Sequence, residues 1–192
     1  MTTRILLTLV LAAVWAAPVW AGFEEGMSAY KRGDYATTIK EWRPLAEQGD
    51  PTAQHHLGWL YVLGRGVPQD YEEAVRWFRK AAEQGDSDAQ TNLGSLYLLG
   101  DRIPQDYTEA LKWLRAAAAQ GHPFAQTKLG IMYEDAHGVP QNYVQSHMWF
   151  SLAAAQGSML AEAFRDDLTK HMTPAQLGEA QRLAREWKPK RK

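Results

Sequence analysis

Cysteine is absent from all 192 residues. That excludes a disulfide framework and a lipid-modified cysteine, and it leaves the compartment open, because an oxidising environment tolerates a thiol-free chain. Neither sign of charge dominates, with 21 Lys and Arg against 22 Asp and Glu. Four of the basic side chains, Lys188, Lys190, Arg191 and Lys192, crowd the last five residues. Residues 22–187 therefore hold 16 basic against 22 acidic groups, net −6. A mildly acidic body lacks the basic surface that phosphate neutralisation requires, so nucleic acid is not an expected partner. The basic tail reads as a solvated end.

Strand-like alternation is missing throughout, and so are long apolar runs beyond the N-terminus. The run from Ile5 to Ala17 follows Arg4 and stops at Pro18, and Val19-Trp20-Ala21 then puts small residues at the two positions a signal peptidase reads. The run falls short of the ~20 residues that a membrane span needs. Residues 1–21 are expected to be a signal peptide cleaved after Ala21. The chain from Gly22 is then exported, periplasmic in preference to fully secreted, with no stable membrane insertion.

Motifs for chemistry are equally scarce. The six His give no metal spacing: His55 and His56 are neighbours about 100° apart on a helix and cannot face one ion, while His122, His137, His147 and His171 are scattered. Gly64-Arg65-Gly66 opens a dinucleotide fingerprint, but Gln69 stands where the third Gly belongs and no strand precedes it. Ser28-Ala29-Tyr30-Lys31 matches the S-x-x-K of penicillin-recognising enzymes, without the S-D-N and K-T-G elements that accompany it. No Ser-His-Asp set assembles. No cofactor, no metal and no catalytic residue is expected.

What the chain has in abundance is a 36-residue period. Gln48-Gly49, Gln84-Gly85, Gln120-Gly121 and Gln156-Gly157 recur at that spacing, as do Leu57-Gly58, Leu93-Gly94 and Leu129-Gly130. Tyr61, Tyr97 and Tyr133 form another column, and Trp77, Trp113 and Trp149 a further one, read as core. Each unit holds two helical stripes. Ala53, Leu57, Leu60, Tyr61 and Gly64 mark the first; Ala74, Trp77, Phe78, Ala81 and Ala82 mark the second at i, i+3, i+4, i+7 and i+8. Asp70 with Glu73, Asp106 with Glu109 and Asn142 with Gln145 are spaced as capping boxes, and the Gly of each Gln-Gly supplies a left-handed stop. Mid-helix Gly58, Gly94 and Gly130 cost about 1 kcal/mol each against Ala, which predicts a close helix at those points. One hairpin cannot bury its own apolar faces, so stability must come from stacking.

The pattern A-x₃-L-G-x₂-Y-x₂-G-x-G-V-x₂-D-Y-x₂-A-x₂-W-x₃-A-A-x-Q-G, from Ala53 to Gly85, resembles the Sel1-like repeat, a relative of the tetratricopeptide repeat with a longer loop inside the hairpin. The resemblance covers roughly residues 34–157. It departs at Asp101-Arg102-Ile103 and at Ala136, which replaces the first loop Gly. The implied fold class is all-α: a right-handed α/α solenoid of about five helical hairpins. Residues 22–49 form an N-terminal capping hairpin, 50–157 three repeats, 158–187 a C-terminal capping hairpin and 188–192 a basic tail. Pro44 is placed to kink or re-aim its helix.

In related repeats the first helices line a concave face. Carried over here, that face offers His55, Trp59, Val62 and Leu63, then Thr91, Ser95, Leu98 and Leu99, then Thr127, Ile131, Glu134 and Asp135. These positions vary between units while the core columns repeat. They make an apolar groove with an acidic far end, suited to a peptide or protein partner that brings apolar anchors and a basic residue. The expected function is an exported protein–protein interaction scaffold. The rivals are a cell-wall or β-lactam-directed hydrolase working through Ser28, and a structural spacer with no groove ligand.

Overall fold

The computed structural model describes residues 19–190; most of the expected signal peptide, and Arg191 and Lys192, lie outside the described residues. Ten helices follow one another, with no strand among the described residues: α1 (Val19–Arg32), α2 (Tyr35–Glu47), α3 (Pro51–Leu63), α4 (Tyr71–Glu83), α5 (Ser87–Leu99), α6 (Tyr107–Ala119), α7 (Pro123–Glu134), α8 (Tyr143–Ala154), α9 (Met159–Thr169) and α10 (Pro174–Glu186). α2 runs through Pro44 without a break. No described helix is long and apolar enough to cross a membrane.

The start signals act as N-caps, but only half of each expected capping box forms. The carboxylates of Asp70 and Asp106 and the amide oxygen of Asn142 accept from Glu73 N, Glu109 N and Gln145 N at 2.9–3.0 Å. The reciprocal half is missing because each cap N–H already donates to a Tyr carbonyl of the preceding helix: Asp70 to Tyr61, Asp106 to Tyr97, Asn142 to Tyr133. The side chains of Glu73 and Glu109 are thereby free, and they pair with Arg76 and Arg79. Among the described residues a complete box forms at α10, between Thr173 and Gln176. The helix ends agree with expectation: Gly49, Gly85, Gly121 and Gly157 all stand at positive φ, from +86° to +100°.

The mid-helix glycines mark the crossing point within each hairpin. A Cβ on Gly58 would lie 2.7 Å from Phe78, on Gly94 2.7 Å from Leu114, and on Gly130 2.5 Å from Phe150. Between hairpins the core is continuous. Trp42, Leu45 and Ala46 of α2 pack with Leu57 and Leu60 of α3 and Trp77 of α4. Ala74 and Phe78 of α4 pack with Leu93 of α5 and Trp113 of α6. Each cluster straddles a repeat boundary, as a stack whose units cannot fold alone demands.

Two polar ladders reinforce the boundaries. Gln54, Gln90 and Gln126 are buried and donate to Ala46 O, Ala82 O and Ala118 O at 2.9–3.3 Å. Their side-chain oxygens accept at 2.8 Å from Gln84, Gln120 and Gln156, the Gln of each Gln-Gly pair. On the second helices, Arg43, Arg79 and Arg115 donate to the hydroxyls of Tyr61, Tyr97 and Tyr133 in the next unit.

The C-terminal pair is a different cap from the expected hairpin. α9 takes the place of a first helix against α8, and α10 then turns back and packs on α8 as well. Trp187 meets Trp149 edge-on at 6.3 Å, and Lys190 N donates to Ala119 O at 2.7 Å. Trp77 and Trp113 are core as expected, but Trp149 is only half-buried.

Candidate functional site

α5 reaches across the stack to α7, a closeness that successive second helices do not match. α3, α5 and α7 are the first helices of the three repeats and carry the residues of the expected face. Its apolar end is open. Trp59 is 37% exposed, Leu63 44% and Leu99 60%. Trp59 stands edge-on to Phe78 at 5.9 Å and donates its indole N–H to His55 Nε2 at 3.2 Å. Asn92 of α5 reaches the same nitrogen at 2.9 Å. Val62 is half-buried against the α4–α5 core.

The middle of the face is narrower than the sequence reading. Thr91 and Thr127 are buried, and their hydroxyls donate to Ser87 O and Pro123 O in their own helices. Helical Thr closes this i−4 bond when no other acceptor is near, which takes up the hydroxyl proton, and burial keeps the oxygen from a partner. Ser95 does the same to Thr91 O. Leu98 is only 9% exposed and belongs to the α5–α6–α7 core. These residues shape the wall behind the face. Ile131 is half-buried against the α8–α9 core.

The far end is acidic. Glu134 is half-buried and Asp135 exposed. Burial, with the charges of Asp135 and Asp167, pushes the Glu134 carboxyl above its ordinary range, with His171 opposing. Burial also holds the Lys128 ammonium below its usual value. Asn92, through His55, and Asp167, through Glu134, belong to this surface and were not among the expected residues. His56, Asn92 and Lys128 form a 36-residue column of polar residues inside an otherwise apolar helix pattern, and that column was the available signal.

Elsewhere the departure at Asp101-Arg102-Ile103 has a visible consequence. Gly66 and Gly138 let their loops press on Tyr35 and Tyr107, where a Cβ would meet the Tyr Cβ at 2.8 and 2.7 Å. Arg102 holds that position in the middle repeat and lies over the Tyr71 ring at 5.5 Å. A cleft of about 420 Å³ opens beside it, lined in part by Val75, Arg76, Tyr97 and Ile103. Ser28 Oγ accepts from Arg32 at 2.6 Å, so a cation is the hydrogen-bond neighbour of that hydroxyl. No cluster of three His, Asp or Glu suited to a metal occurs among the described residues.

Three 36-residue helical hairpins, stacked in chain order and joined by shared cores, define an α-solenoid. The Sel1 repeat model matches residues 51–86, 87–122 and 123–158, more than half of the chain. The chain belongs to the Sel1 repeat family. Among solved structures it is similar to a Sel1 repeat protein from Oxalobacter formigenes, at 36% identity and a TM-score of 0.69 over 75% of this chain and 57% of that one. It is also similar to c5321, a protective antigen of uropathogenic Escherichia coli strains displaying an SLR fold, at 29% identity and a TM-score of 0.61 over 88% of this chain and 45% of that one. The chain thus spans about half the length of these solved relatives. No curated protein matches significantly.

Proposed function

We propose that the protein is an exported scaffold that binds a peptide or protein segment along its concave face. Repeats of this family are commonly protein-interaction scaffolds and generally non-catalytic. The observation that carries the reading for this chain is the exposure of Trp59 and Leu63 on α3 and Leu99 on α5, with acidic Glu134 and Asp135 at the end of α7. A bound segment would seat an aromatic or branched aliphatic side chain beside Trp59 and point a Lys or Arg toward Glu134 and Asp135. Support for export lies in residues 1–21, a basic start followed by an apolar run and a small-residue cleavage pattern. The periplasm is the proposed compartment.

A random peptide library displayed on phage and selected on the full chain tests this. Enriched sequences are expected to pair apolar anchors with a basic residue. Trp59→Ala should weaken the selected peptides about tenfold, or ~1.4 kcal/mol, with Asp135→Lys weakening those that carry the basic residue. Leu98 is avoided as a probe because it is core. Peptides that bind equally well to folded Trp59→Ala and Asp135→Lys proteins would defeat the groove, and a selection that enriches nothing would leave a spacer.

A further inference from the structure

Two donors meet on one nitrogen at the apolar end of the groove. The indole N–H of Trp59 and the amide Nδ2 of Asn92 both point at His55 Nε2, at 3.2 and 2.9 Å. Neither nitrogen can accept, so His55 Nε2 must be bare and the ring proton must sit on Nδ1. A second ring proton on Nε2 would place three donors together. Asn92 can answer by rotating its amide to present Oδ1. The indole has no acceptor to offer and must leave.

Trp59 has somewhere to go, because one side of its ring already faces solvent and its contact with Phe78 is edge-on. Around His55 stand His56 on its own helix, Phe78 of α4, Asp86 at the α4–α5 turn, and Asp88 and Asn92 of α5. Asp88 is already engaged by His122 at 2.9 Å. Burial outweighs the two aspartates and holds His55 below the ordinary histidine range. His56, packed on Phe23 and Trp42, is lowered likewise by burial and by the His55 charge. Both rings are therefore neutral at neutral pH, and acid is the direction that changes them.

We propose that His55 is a proton-operated latch on the binding face: the neutral ring holds the Trp59 indole in the groove, the protonated ring releases it, and peptide binding weakens on acidification. The effect on binding rests on the groove reading above, while the latch itself does not need a ligand.

The test uses the full chain with ¹⁵N-labelled tryptophan, and Trp59→Phe identifies the Trp59 indole signal. Between pH 8 and 5 that signal is expected to move in step with the His55 ring resonance, with a midpoint below the usual ~6.5. His55→Gln should abolish the movement, and His56→Gln should preserve it. A Trp59 indole signal that stays fixed in the wild type, or titrates equally in His55→Gln, overturns the latch. Affinity for a groove peptide selected at neutral pH, with its basic residue replaced so that titration of Glu134 does not contribute, should fall about threefold or more at pH 5.5 in the wild type and hold in His55→Gln. An unchanged wild-type affinity overturns the control of binding. If no groove peptide is found, the groove reading fails and the indole titration still decides the latch.

Discussion

Ala136 shows how one side chain can stand against its backbone. It occupies the position of Gly64 and Gly100 at the end of the first helix, and its φ of +59° makes it the non-glycine residue in left-handed backbone among those described. The Cβ in that conformation crowds the following carbonyl and costs roughly 1–2 kcal/mol. Ala136→Gly is expected to raise stability by about 1 kcal/mol, less a few tenths for the looser unfolded chain. Gly64→Ala should destabilise by a similar amount. Denaturant melts measure both, and an Ala136→Gly protein no more stable than the parent would show that this loop relaxes elsewhere. The left-handed requirement was legible in the sequence, because two repeats put Gly where the third puts Ala. The shared acceptor on His55 was not, since Asn92 lies 37 residues away and no spacing rule joins an indole, an imidazole and an amide.

At the level of the helix, the repeat period made apolar stripes, stops and crossing glycines readable, because each depends on neighbours three or four residues apart or on the same position one unit on. The polar ladders depend on pairs about 30 and 18 residues apart, so the Gln of Gln-Gly was visible as a column without a role. The Trp column was read as uniform, and its environments differ. Trp113 is 5% exposed, donates to Glu109 at 3.0 Å and has Arg79 5.8 Å from its ring. Trp149 is half-buried, and its indole N–H is out of solvent with no acceptor. Trp113→Ala should therefore cost ~3–5 kcal/mol, as large aromatic truncations in cores do. Trp149→Ala should cost distinctly less, because less surface is lost and an unsatisfied donor goes with it. Equal losses in urea melts would mean that the column is uniform after all; a loss under about 1 kcal/mol at Trp113 would remove it from the core.

Across the whole molecule, the C-terminal closure explains why α8 departs from its predecessors. Arg76 and Lys112 are exposed on the outer face of α4 and α6, and Met148 at the same position of α8 is buried. A helix that is apolar on both sides is covered on both sides. α8 meets the stack through Phe150 and Ala153, and α10 comes back over it. The sequence held this signal in the change from Arg and Lys to Met. Reading residues 158–187 as a hairpin missed it, because the length of a connection does not say which earlier helix α10 will join. Ending the chain at Met172 would bare Met148 and one side of Trp149, removing roughly 2–4 kcal/mol of apolar burial. The truncated protein is expected to keep its helices, melt at lower denaturant and self-associate through the new patch. Adding Met148→Lys to the truncated chain restores the residue type found where α4 and α6 face water. It should return the protein to a monomer in sedimentation without restoring the lost stability. A truncated chain that stays monomeric with an unchanged midpoint would mean that α10 is an appendage and that the solenoid closes at α9.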